Sequence, residues 1–325
     1  MRAIRIEEWG GPEVLRLVED APEPEPGPDE LLVRVTRAGV NFADTHASQN
    51  AYVARYELPL VPGAEVAGTV ERAAHGFERG RRVVAMTGGA GGYAELAAVP
   101  AALAVPVPDG VSDGAALAVL LQGLTAWHLY RTAGRDAPGE TVVVVSGAGG
   151  VGSLAVQLGR AMGAGRVIAT ASSEAKRELV RELGADIALD TQSTALRDEL
   201  LEATGGRGAD VVFEMAGGAV FDACFDALAP LGRLVAYGIS SREQNAVRTG
   251  RLLKTSRAVV GFWLFHVTDD PAMVRPPLQE LFERLARGDL RVLEHTAYGL
   301  SEARRAHEDL KARTTSGKLL LDPAR

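Results

Sequence analysis

Cysteine is almost missing from this chain: Cys224 is the single thiol in 325 residues. An internal disulfide is therefore excluded, and so is a zinc lobe built on several thiolates. The plain reading of that thiol is a small buried apolar residue. Positive charge is in deficit, with 35 Lys and Arg against 42 Asp and Glu and a net charge of −7. Without a basic stripe, a nucleic-acid partner is not expected. Long apolar runs are missing too. The most apolar stretches, such as residues 141–145, are far too short to cross a bilayer, and residues 1–10 hold no apolar leader stretch. A cytoplasmic enzyme with no membrane partner is the expectation.

What is present is ordinary globular composition, 46% apolar and 24% charged, in a length that suits two domains. The first third is β-rich. Residues 1–6 and 32–36 alternate with period two. Between them Ala21-Pro-Glu-Pro-Glu-Pro-Gly-Pro28 reads as a stiff surface connection. Further strands are expected at residues 67–71, 82–86 and 93–97, the last after the flexible turn Gly88-Gly-Ala-Gly-Gly92. From Ser112, a candidate N-cap, a helix should run to residue 121. Strands and helices then alternate. Strands are expected at 141–145, 166–170, 187–189, 211–213 and 234–237, with helices at 151–162 and 173–183. That alternation describes a parallel, doubly wound sheet. A helix at 277–287, another after Ser301 and a last strand at 318–321 close the chain.

The strand at 141–145 runs into Ser146-Gly-Ala-Gly-Gly-Val-Gly152. Gly147, Gly149 and Gly152 fit G-x-G-x-x-G between a buried strand and a helix, the context that motif demands. The loop Gly147, Ala148, Gly149, Gly150, Val151 and Gly152 is expected to meet a dinucleotide pyrophosphate with its backbone N–H groups at a helix N-terminus. The tip of the second strand selects the dinucleotide. An acid there would bind a ribose 2′-hydroxyl, but the sequence offers Ser172 and Ser173, then Lys176. Hydroxyls plus a cation suit a 2′-phosphate, so NADPH is the expected cofactor.

Several further segments carry a resemblance: Gly39-Val-Asn-Phe-Ala-Asp44, Pro62-Gly-Ala-Glu-Val-Ala-Gly68, Gly80-Arg-Arg-Val83, Gly123-Leu-Thr-Ala126, Gly232-Arg-Leu-Val235 and Gly317-Lys-Leu-Leu-Leu321. In this order, together with the glycine loop, they resemble the quinone oxidoreductase (zeta-crystallin-like) branch of the zinc-free medium-chain dehydrogenase/reductase superfamily. The resemblance spans essentially the whole chain. It implies an α/β protein, a Rossmann domain at 123–262 inserted into a GroES-like β-rich catalytic domain made of 1–122 and 263–325, and a homodimer. It implies zinc-independent hydride transfer from NADPH to a quinone or another electron-poor conjugated carbonyl compound. Reduction of an enoyl thioester or α,β-unsaturated ketone is an alternative, and a non-catalytic NADPH-binding protein a second.

Carried over residue by residue, Asn41 resembles an asparagine beside the nicotinamide, and Tyr52 a tyrosine of the substrate pocket. Thr125 resembles a threonine near the nicotinamide and its phosphates. Phe262 and Trp263 begin a segment like the loop over the nicotinamide, while Gly238 and Lys318 are further cofactor contacts by the same resemblance. Two positions depart from the relatives. His46 stands where a tyrosine is usual, and Thr191 replaces a tyrosine at the adenine end. Tyr52 and His46 are the candidate proton donors. The plainer expectation for His46 is a partly exposed helix residue. Zinc alcohol dehydrogenases of the superfamily carry G-H-E-x-x-G. Here the stretch is Gly63-Ala-Glu-Val-Ala-Gly68, with Ala64 for the histidine and Asn41 for an early cysteine ligand. Catalytic zinc needs about three protein ligands, so none is expected, and Glu65 reads as a carboxylate kept for folding.

Overall fold

Residues 142–144 are three valines without exposed surface. A strand with both faces covered belongs in the middle of a parallel sheet. In the computed structural model, which describes residues 1–51 and 54–325, Thr141–Val144 pairs in parallel with Arg166–Ala171 on one side and Ala209–Glu214 on the other. The full order is Ile187–Asp190, Arg166–Ala171, Thr141–Val144, Ala209–Glu214, Leu228–Ala236, Ala258–Gly261. In chain order this is third, second, first, fourth, fifth, sixth, the doubly wound arrangement of dinucleotide-binding domains. Helices Gly150–Met162, Glu174–Glu182, Leu196–Ala203 and Gly218–Asp226 connect the strands. Val143, Ile168, Leu200, Val212, Phe225 and Leu234 form its core. Cys224 lies in the same core with no exposed surface, and burial pushes its thiol far above the ordinary range.

This sheet belongs to a compact unit of Gly123–Asp269; Met1–Gln122 and Asp270–Arg325 form another.

The other unit is built on antiparallel pairing. Its central strand, Glu30–Val40, pairs with Glu65–Val70, with Leu96–Pro100 and with Leu319–Asp322. Arg82–Met86 and Ala104–Pro106 extend one side, and Tyr298–Gly299 lies beyond Leu319–Asp322. The alternating apolar residues seen in the sequence, Ile4, Leu31, Val33, Val66, Val83, Leu319 and Leu321, fill one core. Each fully buried aliphatic side chain contributes about 1.5–3 kcal/mol, so the strand from the C-terminal segment is firmly held. These observations give an α/β protein with a Rossmann-like parallel sheet and a GroES-like β-rich unit.

Element ends differ from expectation at identifiable places. Ser112 caps its helix, its Oγ accepting from Ala115 N at 3.0 Å, but the regular α-turns Asp113–Leu117 widen into π-turns from Ala118. Pro277, expected to start a helix, sits inside one. Helix Pro271–Arg287 begins earlier because the Asp270 side chain accepts from Ala272 N and Pro271 takes the first helical position, where a missing N–H costs little. The strand expected at 93–97 is Leu96–Pro100.

Candidate functional site

Every expected cofactor residue of the parallel-sheet unit except Thr125 follows the carboxyl end of a strand. The glycine loop follows Thr141–Val144, Ser172 and Ser173 follow Arg166–Ala171, and Thr191 follows Ile187–Asp190. Gly238 follows Leu228–Ala236, and Phe262 and Trp263 follow Ala258–Gly261. This is the end of an open α/β sheet where ligands bind, and the loop sits at the point where the strand order reverses. Thr125 is buried within the short helix Leu124–His128 of the same unit.

The loop is a tight backbone structure. Ser146 has φ 58°, a left-handed conformation that a residue with a Cβ seldom adopts, and Gly149 N donates back to Ser146 O at 2.9 Å. Gly152 must be glycine: a Cβ there would stand 2.2 Å from Ser146 O and 2.8 Å from Gly147 Cα. Ala148 is buried against the unit. Gly149 is the N-cap of helix Gly150–Met162, whose first turn, including Gly150 and Val151, offers N–H groups without intrahelical partners. The chain therefore presents a cradle suited to an anionic group.

Ser173 caps helix Glu174–Glu182, its Oγ accepting from Lys176 N at 3.4 Å. Ser173 is exposed, and Ser172 and Lys176 are half-buried. The nearest acids are engaged elsewhere: Glu174 pairs with Arg177 and Arg181, and Asp190 with Arg177. Thr191 is buried and its hydroxyl donates to Thr170 Oγ1 at 2.8 Å, while Thr170 Oγ1 accepts from Ser146 N at 3.2 Å. Thr191 thus braces the loop. Phe262, Trp263 and Phe265 are half-buried rather than core residues; Trp263 lies 5.3 Å from the Phe265 ring.

The antiparallel unit holds a side-chain cluster around Asn41. Strand register brings it together. Leu319 pairs with Val40, and Ala38 with Val66, so Lys318, Asn41 and Glu65 become neighbours. Asn41 Nδ2 donates to Glu65 Oε1 at 2.8 Å, and Lys318 Nζ donates to Asn41 Oδ1 at 3.1 Å and to Glu65 Oε1. Glu65 and Lys318 are 0% and 1% exposed. The Gln122 carboxamide joins them, 2.7 Å from Asn41 Oδ1 and 2.8 Å from Lys318 Nζ.

Asn41 also caps helix Phe42–Ala47, where its backbone N donates to Asp44 Oδ2 at 2.8 Å. Tyr93 Oη donates to the same oxygen at 3.0 Å and lies 3.1 Å from His307 Nε2. Burial pushes Asp44 up to about 6, lifts Tyr93 well above its usual range and lowers His307 to about 4. His46 is 4% exposed, not a partly exposed helix residue, and its ring lies 5.4 Å from that of Phe42. The helix is short and packs its second turn inward, which a single histidine in the sequence could not reveal. Tyr52 lies outside the described residues. Sequence reasoning missed Gln122, Tyr93 and His307, and gave Glu65 no partner. No local spacing signals such a cluster.

Glu65, the acid retained from the superfamily zinc motif, faces an ammonium. Among the described residues no group of three or more His, Cys, Asp or Glu is placed to hold a metal. This donor set does not fit a catalytic zinc. A surface groove of about 970 Å³, lined by Phe77, Arg81, Arg275 and Phe282 among others, contains none of the expected site residues. No described helix is long and apolar enough to cross a membrane.

The family model for an alcohol dehydrogenase GroES-like domain matches residues 27–109, and that for a zinc-binding dehydrogenase matches residues 150–283. A quinone oxidoreductase of Pseudomonas aeruginosa is 36% identical over 99% of this chain and 99% of its own. The crystal structure of Escherichia coli quinone oxidoreductase complexed with NADPH superimposes with a TM-score of 0.93 at 32% identity, covering 99% of this chain and 100% of that one. A segment of a phenolphthiocerol/phthiocerol polyketide synthase from Mycobacterium tuberculosis is 34% identical over 91% of this chain and 14% of that far longer one. With relatives of this identity along its full length, the chain belongs to the quinone oxidoreductase branch of the medium-chain dehydrogenase/reductase superfamily and is an oxidoreductase.

Proposed function

We propose that this protein is an NADPH-dependent, zinc-independent reductase of quinones or related conjugated carbonyl compounds. The observation that carries the reading is the strand-tip arrangement: a glycine cradle at a helix N-terminus, with two serines and a lysine at the next strand end and the neighbouring acids Glu174 and Asp190 each paired with arginine. The Escherichia coli relative crystallised with NADPH supports it.

In this reading Gly147, Ala148, Gly149, Gly150, Val151 and Gly152 bind the pyrophosphate, and Ser172, Ser173 and Lys176 bind the 2′-phosphate. Thr191 supports the loop through Thr170. Thr125, Gly238, Phe262 and Trp263 line the nicotinamide end and exclude water from it. Bound NADPH supplies the hydride. Asn41 orients the reacting groups through its carboxamide, and Tyr52 or His46 delivers the proton that the reduced oxygen needs. A quinone requires no metal to polarise an alkoxide, so the poor fit of zinc at Glu65 is consistent with reduction and not with alcohol oxidation.

Similarity to the polyketide synthase segment favours a second reading, reduction of an α,β-unsaturated thioester by the same cofactor site. A second copy of the chain is the proposed partner. The edge strand Ala258–Gly261 is largely exposed, with Val259 36% accessible and the nearby Leu253 80%, a surface suited to strand pairing between copies. The test is a panel of quinones, enones and enoyl thioesters with NADPH, run with and without chelator. Quinone-dependent oxidation insensitive to chelator is expected; turnover that requires added zinc, or none with any acceptor, overturns the proposal.

A further inference from the structure

The buried cluster in the antiparallel unit contains a fully formed ion pair that the hydride-transfer reading leaves without a task. We infer that Lys318 and Glu65 are positioning residues that hold the Asn41 carboxamide in one orientation, and that Lys318 is not a contact to the cofactor phosphates. The kinetic part of this inference rests on the reductase reading given above.

A carboxamide has two ends of nearly equal size, and its rotation by 180° exchanges a donor for an acceptor. Here the nitrogen end meets the Glu65 carboxylate and the oxygen end meets the Lys318 ammonium. The reversed amide would place its oxygen on a carboxylate and its N–H groups on an ammonium, two repulsive contacts at once. The pair therefore selects one orientation, with one Nδ2 hydrogen committed to Glu65 and the other remaining for the reacting groups. The Lys318 ammonium in turn has Glu65, Asn41 and the Gln122 carboxamide as neighbours.

The backbone makes room for this arrangement. Glu65 projects over Gly39, two residues before Asn41, where a Cβ would stand only 2.5 Å from Glu65 Oε1. Any side chain at position 39 would displace the carboxylate that orients Asn41. The pair is also expensive to bury. Both side chains are essentially without exposed surface, and Glu65 Oε2 has no hydrogen-bond partner among the described residues. For stability alone, an apolar pair of similar volume does as well or better. A role in orienting a neighbour accounts for the charges.

The test uses the full chain with four variants: Glu65→Leu combined with Lys318→Met, the same double variant with Asn41→Ala added, Gly39→Ala, and Asn41→Ala alone. The double variant removes both charges, so no buried charge is left unpaired. Gly39→Ala keeps both charges and moves the carboxylate, which preserves the test if the double variant does not fold. Three quantities are read: NADPH Kd by calorimetry, kcat with 1,4-naphthoquinone, and hydrogen exchange of the Asn41 side-chain amide by NMR.

For the double variant and for Gly39→Ala the expected result is an NADPH Kd within about twofold of the parent, a kcat lower by about 10- to 100-fold, and amide exchange faster by at least about tenfold. Adding Asn41→Ala to the double variant should lower kcat no further. A tenfold weaker NADPH Kd with kcat retained would overturn the inference and return Lys318 to the cofactor. Unchanged kcat and amide exchange in folded variants would overturn it as well. So would a full kcat for Asn41→Ala beside a reduced one for the double variant, because the pair would then act elsewhere. If the parent protein reduces no acceptor, the reductase reading fails, and amide exchange alone still decides whether the pair holds Asn41.

Discussion

The glycine loop Ser146–Gly152 and the cluster around Asn41 use polar groups in contrasting ways. The loop offers backbone N–H groups, has no titratable side chain, and requires the absence of a Cβ at Gly152. The Asn41 cluster is made of side chains, among them Glu65, Lys318, Asp44, Tyr93 and His307, all nearly without solvent contact. The loop belongs to one stretch of chain, whereas Asn41 and Lys318 are 277 positions apart. The contrast teaches where each part is vulnerable. A loop of N–H groups fails by steric or charge intrusion and should be indifferent to pH. A buried side-chain cluster fails by loss of one partner and should respond to pH.

The largest effect is expected from Gly150→Asp, which breaks the loop half of this contrast. A carboxylate in the first helical turn repels the pyrophosphate and leaves the empty fold little changed. NADPH affinity should fall by roughly 100-fold, about 3 kcal/mol, while the melting temperature stays close to that of the parent. Undiminished affinity by calorimetry would remove the loop from the site.

The next prediction sharpens the pH side. His307 is held down to about 4 from 6.5, so the unfolded chain takes up a proton that the folded chain refuses, and stability rises with pH between 4 and 6.5. Asp44 is pushed up to about 6 from 3.8, so the folded chain keeps a proton that the unfolded chain releases. Its contribution is complete below 3.8 and is lost as pH rises through 6. Between 4 and 6 the two oppose each other. His307→Gln removes the rising part, so between pH 4 and 6 the stability of the variant should fall relative to that of the parent by about 2 kcal/mol. Parallel profiles for variant and parent, measured by urea unfolding, would contradict this assignment.

A smaller effect is expected at the second strand tip. Ser173→Ala with Lys176→Ala should reduce the preference for NADPH over NADH by about tenfold, roughly 1.4 kcal/mol, through loss of charge-assisted hydrogen bonds. Calorimetry with both cofactors measures it; a preference that survives intact would place the 2′-phosphate elsewhere. The smallest change should come from Tyr52→Phe. NADPH affinity should be unaltered, quinone turnover should drop by no more than about threefold, and enone turnover should drop further because an enolate must be protonated. Equal losses on both acceptors in steady-state assays would rule out the proton-donor role.

How much of this was legible in the sequence follows from the same contrast. The loop was legible because its glycines are close together and its flanking strand is a run of buried valines. The strand tip was legible because Ser172, Ser173 and Lys176 are adjacent to it. The doubly wound sheet showed in the alternation of elements, although Ala258–Gly261 escaped notice: an edge strand with an exposed face has no periodic signature. Helix Gly218–Asp226 escaped as well, since two glycines open it. At Asn41 the sequence offered the residue but not its surroundings. Glu65 looked like a structural carboxylate because its partner, Lys318, is supplied by register between strands that only the fold brings together. The depth of His46 depends on which turn of a short helix faces inward, and a six-residue helix has too few positions to show it.

The most direct test of the central claim is the steady-state rate of 1,4-naphthoquinone reduction by chelator-treated protein, with NADPH and NADH measured in parallel. The account predicts quinone-dependent oxidation that chelator leaves unchanged, with kcat/KM at least about tenfold higher for NADPH. Absence of quinone turnover, equal use of NADH, or activity that returns only with added zinc would contradict it.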